Sequence, residues 1–70
     1  MKEMSLMIGH KLKLLRERKG YTLEEVGDLV GKSRKTIHSY ESGAISISVE
    51  NLKSLLNVYD YSPGKFLDEL

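Results

Sequence analysis

The sequence predicts an all-α fold, a compact bundle of five short helices, and three observations predict it. Apolar residues recur at helical rather than strand spacing along most of the chain. Glycines fall at segment ends, at Gly20, Gly31 and Gly43, where they punctuate helical patterns. Helix-start residues precede the apolar runs at Thr22, Ser33, Ser48 and Ser62. Only one proline occurs, and no residue cluster resembles a strand pair.

The first helix is expected over Met7 to Lys19, with Ile8, Leu12 and Leu15 as its inner stripe and Gly20 as the stop. Residues 1–6 are expected to form a loosely ordered tail, and Leu14 lies off the stripe. Thr22-Leu-Glu-Glu25 has the form of a capping box, in which the hydroxyl accepts from a free amide and Glu25 reaches back to the Thr22 N–H. That second helix runs from Leu23 to about Val30. Ser33 caps the third, Arg34 to about Ser42, which Gly43 closes. Ser48 opens a fourth helix with Leu52, Leu55, Leu56 and Tyr59 inward. Ser62-Pro63 places proline at the first position of a fifth, with Phe66 and Leu67 inward. Ile45 and Ile47 alternate in the polar stretch between helices three and four. One of them is expected to plug the core beneath helix four; the alternative is that they help form a subunit interface beside the last helix.

Seventy residues make one domain, near the lower limit for a single core, and the absence of cysteine leaves packing to stabilise it. No apolar run approaches the roughly 20 residues that span a bilayer, so a cytoplasmic protein without a membrane partner is the expectation. Net charge is only +1. Its distribution says more: nine of the eleven lysines and arginines precede His38, whereas Glu41, Glu50, Asp60, Asp68 and Glu69 follow it. A basic front half suggests one face for an anionic partner. His10 and His38 stand on different helices without carboxylate spacing, so no metal or other cofactor is expected. With no nucleophile–base pair and no glycine-rich phosphate loop, neither an enzyme nor a small-molecule substrate is expected. Tyr21, Tyr59 and Tyr61 read as core-edge aromatics with wet hydroxyls.

Helices two and three, joined through Gly31, have the logic of a helix-turn-helix. Gly27 provides close approach, Val26 and Val30 face the core from one helix, and Ile37 and Tyr40 face it from the other. Leu23 to Ser42 resembles the helix-turn-helix of the Cro and phage-repressor-like (XRE) family. The match runs through Thr22, Glu25, Val26, Gly27, Val30, Gly31, Ser33, Ile37, Tyr40, Glu41 and Gly43. It extends to Ile8-Gly9, Leu12 and Leu15-Arg16 upstream and to Ser48–Leu67 downstream. The resemblance implies a lambda-repressor-like domain that binds double-stranded DNA, with Arg34 to Ser42 as the recognition helix in the major groove.

Arg34, Lys35, Thr36, His38 and Ser39 are then candidate base contacts. Arg34 and Lys35 occupy the helix start that enters the groove first, and an arginine can donate bidentately to guanine O6 and N7. Two cations at the positive end of a helix are electrostatically misplaced unless an anion offsets them. Ser33, Lys32, Thr22, Gly43 and Ser46 are candidate phosphate contacts. The resemblance also implies a structural ion pair between Arg16 and Glu41. The implied assembly is a homodimer on a palindromic operator, meeting through Pro63, Phe66, Leu67, Leu70 and Ile45, and acting as a repressor. Three departures matter. Leu23 replaces a common glutamine and Ala44–Ser48 carries no charge, both of which weaken the phosphate term. Lys32 replaces an apolar turn residue and exchanges a packing contact for a phosphate contact. They leave open an alternative, an antitoxin-like or regulatory module that binds a protein partner and for which DNA is secondary.

Overall fold

The computed structural model describes residues 2–70 and, among them, contains five helices and no strand. They are α1 (Lys2–Lys19), α2 (Leu23–Val30), α3 (Arg34–Ser42), α4 (Val49–Val58) and α5 (Pro63–Asp68). Each of the last four starts on a capping side chain. Thr22 Oγ1 accepts from Glu25 N at 3.0 Å while Glu25 Oε1 accepts from Thr22 N at 2.9 Å, completing the capping box. Ser33, Ser48 and Ser62 accept from Thr36, Asn51 and Lys65 in the same way, and Pro63 sits in the first turn of α5. These oxygens occupy amides that a helix cannot satisfy internally.

The helix ends share a second device. The amides of Tyr21, Lys32, Ala44 and Tyr61 donate back five residues, to the carbonyls of Arg16, Gly27, Ser39 and Leu56. The residue just before each donor is left-handed: Gly20 (φ 75°), Gly31 (71°), Gly43 (77°) and Asp60 (53°). This is the Schellman closure, and the first three positions carry the residue it favours. Asp60 does not, and no glycine in the sequence signals that corner.

One core serves all five helices. Leu12 and Leu15 of α1, Val26 of α2, Ile37 and Tyr40 of α3, Leu52, Leu55 and Leu56 of α4 with Tyr59 at its C-terminal cap, and Phe66 of α5 pack together. Ile47 leans on this core while Ile45 stays exposed, which settles the alternation in that loop. Leu14 is exposed too.

Four expectations need correction. Residues 2–6 are not a loose tail but the start of α1; Leu6 packs on Gly43, with its Cα and side chain where a Gly43 Cβ would sit. The expectation for Met1 lies outside the described residues. Phe66 is wholly enclosed, so it offers no surface to a second subunit, and Leu67 is turned outward at 55% exposure instead. Tyr59 is buried and its hydroxyl has no hydrogen-bond partner among the described residues, so it is not wet. Within the six residues of α5, Phe66 takes the inward place and Leu67 the adjacent outward one.

Candidate nucleic-acid interface

Backbone contacts set the relation of α2 to α3. A Cβ on Gly27 would stand 2.5 Å from the Lys32 carbonyl oxygen and 3.3 Å from the Ser33 carbonyl carbon. Gly27 therefore lets α2 lie directly on the backbone of the turn rather than on a side chain of α3. The Lys32 amide donates to the Gly27 carbonyl at 2.8 Å, so the same glycine receives the turn's closing bond.

A second glycine sets α1 against α3. A Cβ on Gly9 would come within 2.3 Å of the Tyr40 carbonyl oxygen and 2.5 Å of that of Glu41. Next to this contact, Arg16 Nε donates to Glu41 Oε2 at 2.7 Å and Nη2 to Oε1 at 3.1 Å, a two-pronged pair. Its remaining nitrogen, Nη1, donates to the Tyr21 carbonyl at 2.8 Å. The Arg16 and Glu41 side chains keep only 12% and 5% of their surface exposed. The hydrogen bond to Glu41 raises the Arg16 pKa further and keeps the guanidinium charged. On the far side of α3, Asn51 Nδ2 donates to the Tyr40 hydroxyl at 3.1 Å, which ties the helix to α4. Nearby, burial pushes the Tyr59 hydroxyl well above the ordinary tyrosine range.

With Ile37 and Tyr40 held inside, α3 turns Arg34, Lys35 and His38 to solvent. Among the described residues none of these three has an internal hydrogen-bond or ion-pair partner for its side chain. Ser39 and Thr36 are half-buried. Thr36 Oγ1 lies 3.0 Å from Ser33 Oγ, so two hydroxyls are engaged with each other at the start of the helix. Arg34, Lys35 and His38 line one shallow groove, and its fourth wall is Leu23 at the start of α2.

The residues expected at phosphates are not equally placed. Lys32 is half-buried in the turn and Ser33 is exposed at the cap. Thr22 is exposed, but its amide is committed to Glu25. Gly43 is not available, since it is buried beneath Leu6 and its amide donates to Tyr40. Ser46 stands apart, 3.4 Å from the hydroxyl of Ser5 on α1. Of the surface expected between subunits, Pro63, Leu67 and Ile45 are exposed and Leu70 is half-buried. Leu70 instead belongs to an apolar groove formed with Met7, Leu14 and Leu15 of α1, flanked by Lys11, Arg18 and Glu69. Glu69 is held there by Lys11 Nζ at 2.7 Å and by the Tyr61 hydroxyl, and both contacts lower its pKa.

Sequence reasoning missed Gly9 as a contact point, Asp60 as a left-handed corner, and Leu23 as a wall of the cationic groove. Gly9 leaves only the signal of a glycine interrupting a helical pattern at a cost in helix stability, a hint of a packing role without its partner. No group of three or more histidines, cysteines or acids among the described residues is placed to hold a metal ion. Among the described residues, no helix is long and apolar enough to cross a membrane.

The sequence profile of the helix-turn-helix family matches residues 12–66. A protein of Pyrococcus horikoshii is 40% identical over 62 residues, covering 89% of this chain and 20% of its own length. One of Pyrococcus abyssi is 40% identical over 52 residues, 74% of this chain and 16% of its own. One of Thermococcus kodakarensis is 34% identical over 62 residues, 89% and 20% respectively. All three are named as candidate HTH-type transcriptional regulatory proteins. The chain spans about a fifth of the length of these relatives.

Proposed function

The chain belongs to the helix-turn-helix family in its Cro and phage-repressor-like form, and from that premise we propose that it is a sequence-specific DNA-binding transcriptional regulator. It inserts α3 into the major groove, binds a palindromic operator as a homodimer and represses from it. The observation that carries the reading is the outer face of α3: Arg34, Lys35 and His38 stand exposed and unpaired within the described residues, with two cations in the first turn. At that end of a helix a cation is opposed by the macrodipole, and a bound polyanion reverses the sign of the local field. Arg34 and Lys35 read bases, Thr36, His38 and Ser39 lie along the same helix, and Ser33, Lys32, Thr22 and Ser46 meet phosphates. The Arg16–Glu41 pair and Gly9 fix the angle at which α3 is presented. The reading assigns the protein to the cytoplasm and gives it no catalytic role.

Selection from random duplexes at a stated salt concentration tests the proposal. The expected result is a two-fold symmetric consensus whose half-sites lie about 34–36 Å apart on one face of the duplex. Enrichment of no sequence would refute it. A second reading, docking of a regulatory protein, is favoured by one observation, the apolar groove of Met7, Leu14 and Leu70 on the side of α1. It requires a stoichiometric protein partner on purification from the native cell.

A further inference from the structure

The groove on the outer face of α3 has three polar walls and one apolar wall. Leu23 is the first residue of α2 and Arg34 the first of α3, so two helix starts meet there. Leu23 is half-buried and rests on the core, which holds its side chain in place rather than letting it swing in solvent. It borders the groove shared with Arg34, Lys35 and His38, and also the adjoining depression where Arg34 meets Tyr21, Thr22 and Glu24. Leu23 and Arg34 are thus neighbours on two sides. A leucine cannot donate to a phosphate, so at this place it contributes nothing to the electrostatic term of DNA binding. It can contribute the other kind of base contact, apolar packing on the one methyl group that the major groove displays.

We infer that Leu23 determines specificity: with Arg34 it reads a pyrimidine carrying a 5-methyl group immediately 5′ of a guanine. The inference rests on the DNA-binding reading above. Arg34 places its fork on guanine O6 and N7. In the major groove the C5 position of the preceding pyrimidine lies beside that same edge, one base step away. A thymine there puts its methyl between the guanidinium plane and the Leu23 side chain, and 5-methylcytosine presents the same group. Cytosine and uracil leave the leucine facing water. Thr36 is the other residue with a methyl near the groove, but it lies two positions along α3 and its hydroxyl is engaged with Ser33.

The test uses the consensus duplex from the selection with four versions of the pyrimidine–guanine step under Arg34: thymine, deoxyuridine, cytosine and 5-methylcytosine. Burying one methyl is worth about 0.8 kcal/mol, close to a four-fold change in Kd. The intact protein should bind thymine over uracil, and 5-methylcytosine over cytosine, by about that factor. Leu23→Ala should bind the methylated and unmethylated members with equal affinity, Leu23→Met should retain the preference, and Thr36→Ser should not change it. Circular dichroism establishes that the variants are folded, and the uracil comparison needs no variant. Equal affinity of the intact protein for thymine and uracil overturns the inference. So does a methyl preference that survives Leu23→Ala, or a consensus without a pyrimidine before the guanine. A selection that yields no consensus removes the DNA reading itself, a distinct outcome.

Discussion

Removing the Arg16 side chain isolates what the α1–α3 ion pair contributes. In the native structure Glu41 receives two hydrogen bonds from Arg16, at 2.7 and 3.1 Å, and only 5% of its side-chain surface is exposed. Arg16→Ala leaves that carboxylate enclosed without a partner and also strips the Tyr21 carbonyl of its donor. An enclosed charge that loses its partner costs about 3–5 kcal/mol. Arg16 keeps 12% of its surface, so water can partly fill the gap and the lower end, about 3 kcal/mol, applies. Seventy residues at about 0.05–0.15 kcal/mol each carry roughly 3.5–10 kcal/mol of total stability. The variant therefore loses about 30% of its stability or more, and its Tm falls by roughly 12 °C or more. Urea titration followed by circular dichroism measures the loss. The double variant Arg16→Met/Glu41→Leu, which leaves no orphaned charge, should be more stable than either single alanine variant. A cost below about 1 kcal/mol for Arg16→Ala would show that the pair behaves like a surface salt bridge and would refute the reasoning.

Four further outcomes follow from the same structure. Gly9→Ala places a methyl within 2.3 Å of the Tyr40 carbonyl oxygen and should cost about 1–3 kcal/mol or more, read as a lower urea midpoint. Asp60→Gly relieves a left-handed residue worth about 1–2 kcal/mol, offset in part by the extra freedom of the unfolded glycine and by loss of the exposed Lys19 contact at 3.6 Å. Its net effect should be a small gain in Tm. Tyr59→Phe removes a buried hydroxyl that has no partner and should be neutral or stabilising at pH 7. Because burial raises the folded-state pKa of Tyr59, its contribution is fully present below the unfolded value near 10 and is lost as pH rises above it. The phenylalanine variant should therefore lose less stability than the parent above pH 10. On DNA, Arg34→Ala and Lys35→Ala should relax base preference, whereas Lys32→Ala should weaken binding to all sequences alike and reduce the salt slope by about one.

Local signals made most of this fold legible from the residues. Thr22, Ser33, Ser48 and Ser62 cap where their chemistry requires, and Gly20, Gly31 and Gly43 turn left-handed after their helices. The outward set on α3 could be derived because Ile37 and Tyr40 fix which side is inside. The parts that were not legible depend on partners distant in the chain. The first turns of α1 lack a strong apolar stripe of their own, and Leu6 acquires its place only once Gly43 is beneath it. Phe66 and Leu67 are adjacent apolar residues, and only the packed core decides that the first is enclosed and the second is not. Asp60 closes α4 without the residue type that marks such corners elsewhere. The apolar wall at Leu23 emerges only when the starts of α2 and α3 are brought side by side.

The glycine contact between α1 and α3 has a mechanical meaning. Gly9 abuts the backbone at Tyr40 and Glu41, near the rear of α3, whereas Arg34 is the tip. Six residues separate tip from fulcrum, about 9 Å at 1.5 Å per residue. A tilt of about 10° at the fulcrum swings the tip by roughly 1.6 Å, half the reach of a hydrogen bond. Under the DNA-binding proposal, the gearing between α1 and the side chain proposed to read bases is therefore steep. Selection for altered operator preference should recover substitutions at position 9 as well as on the reading face.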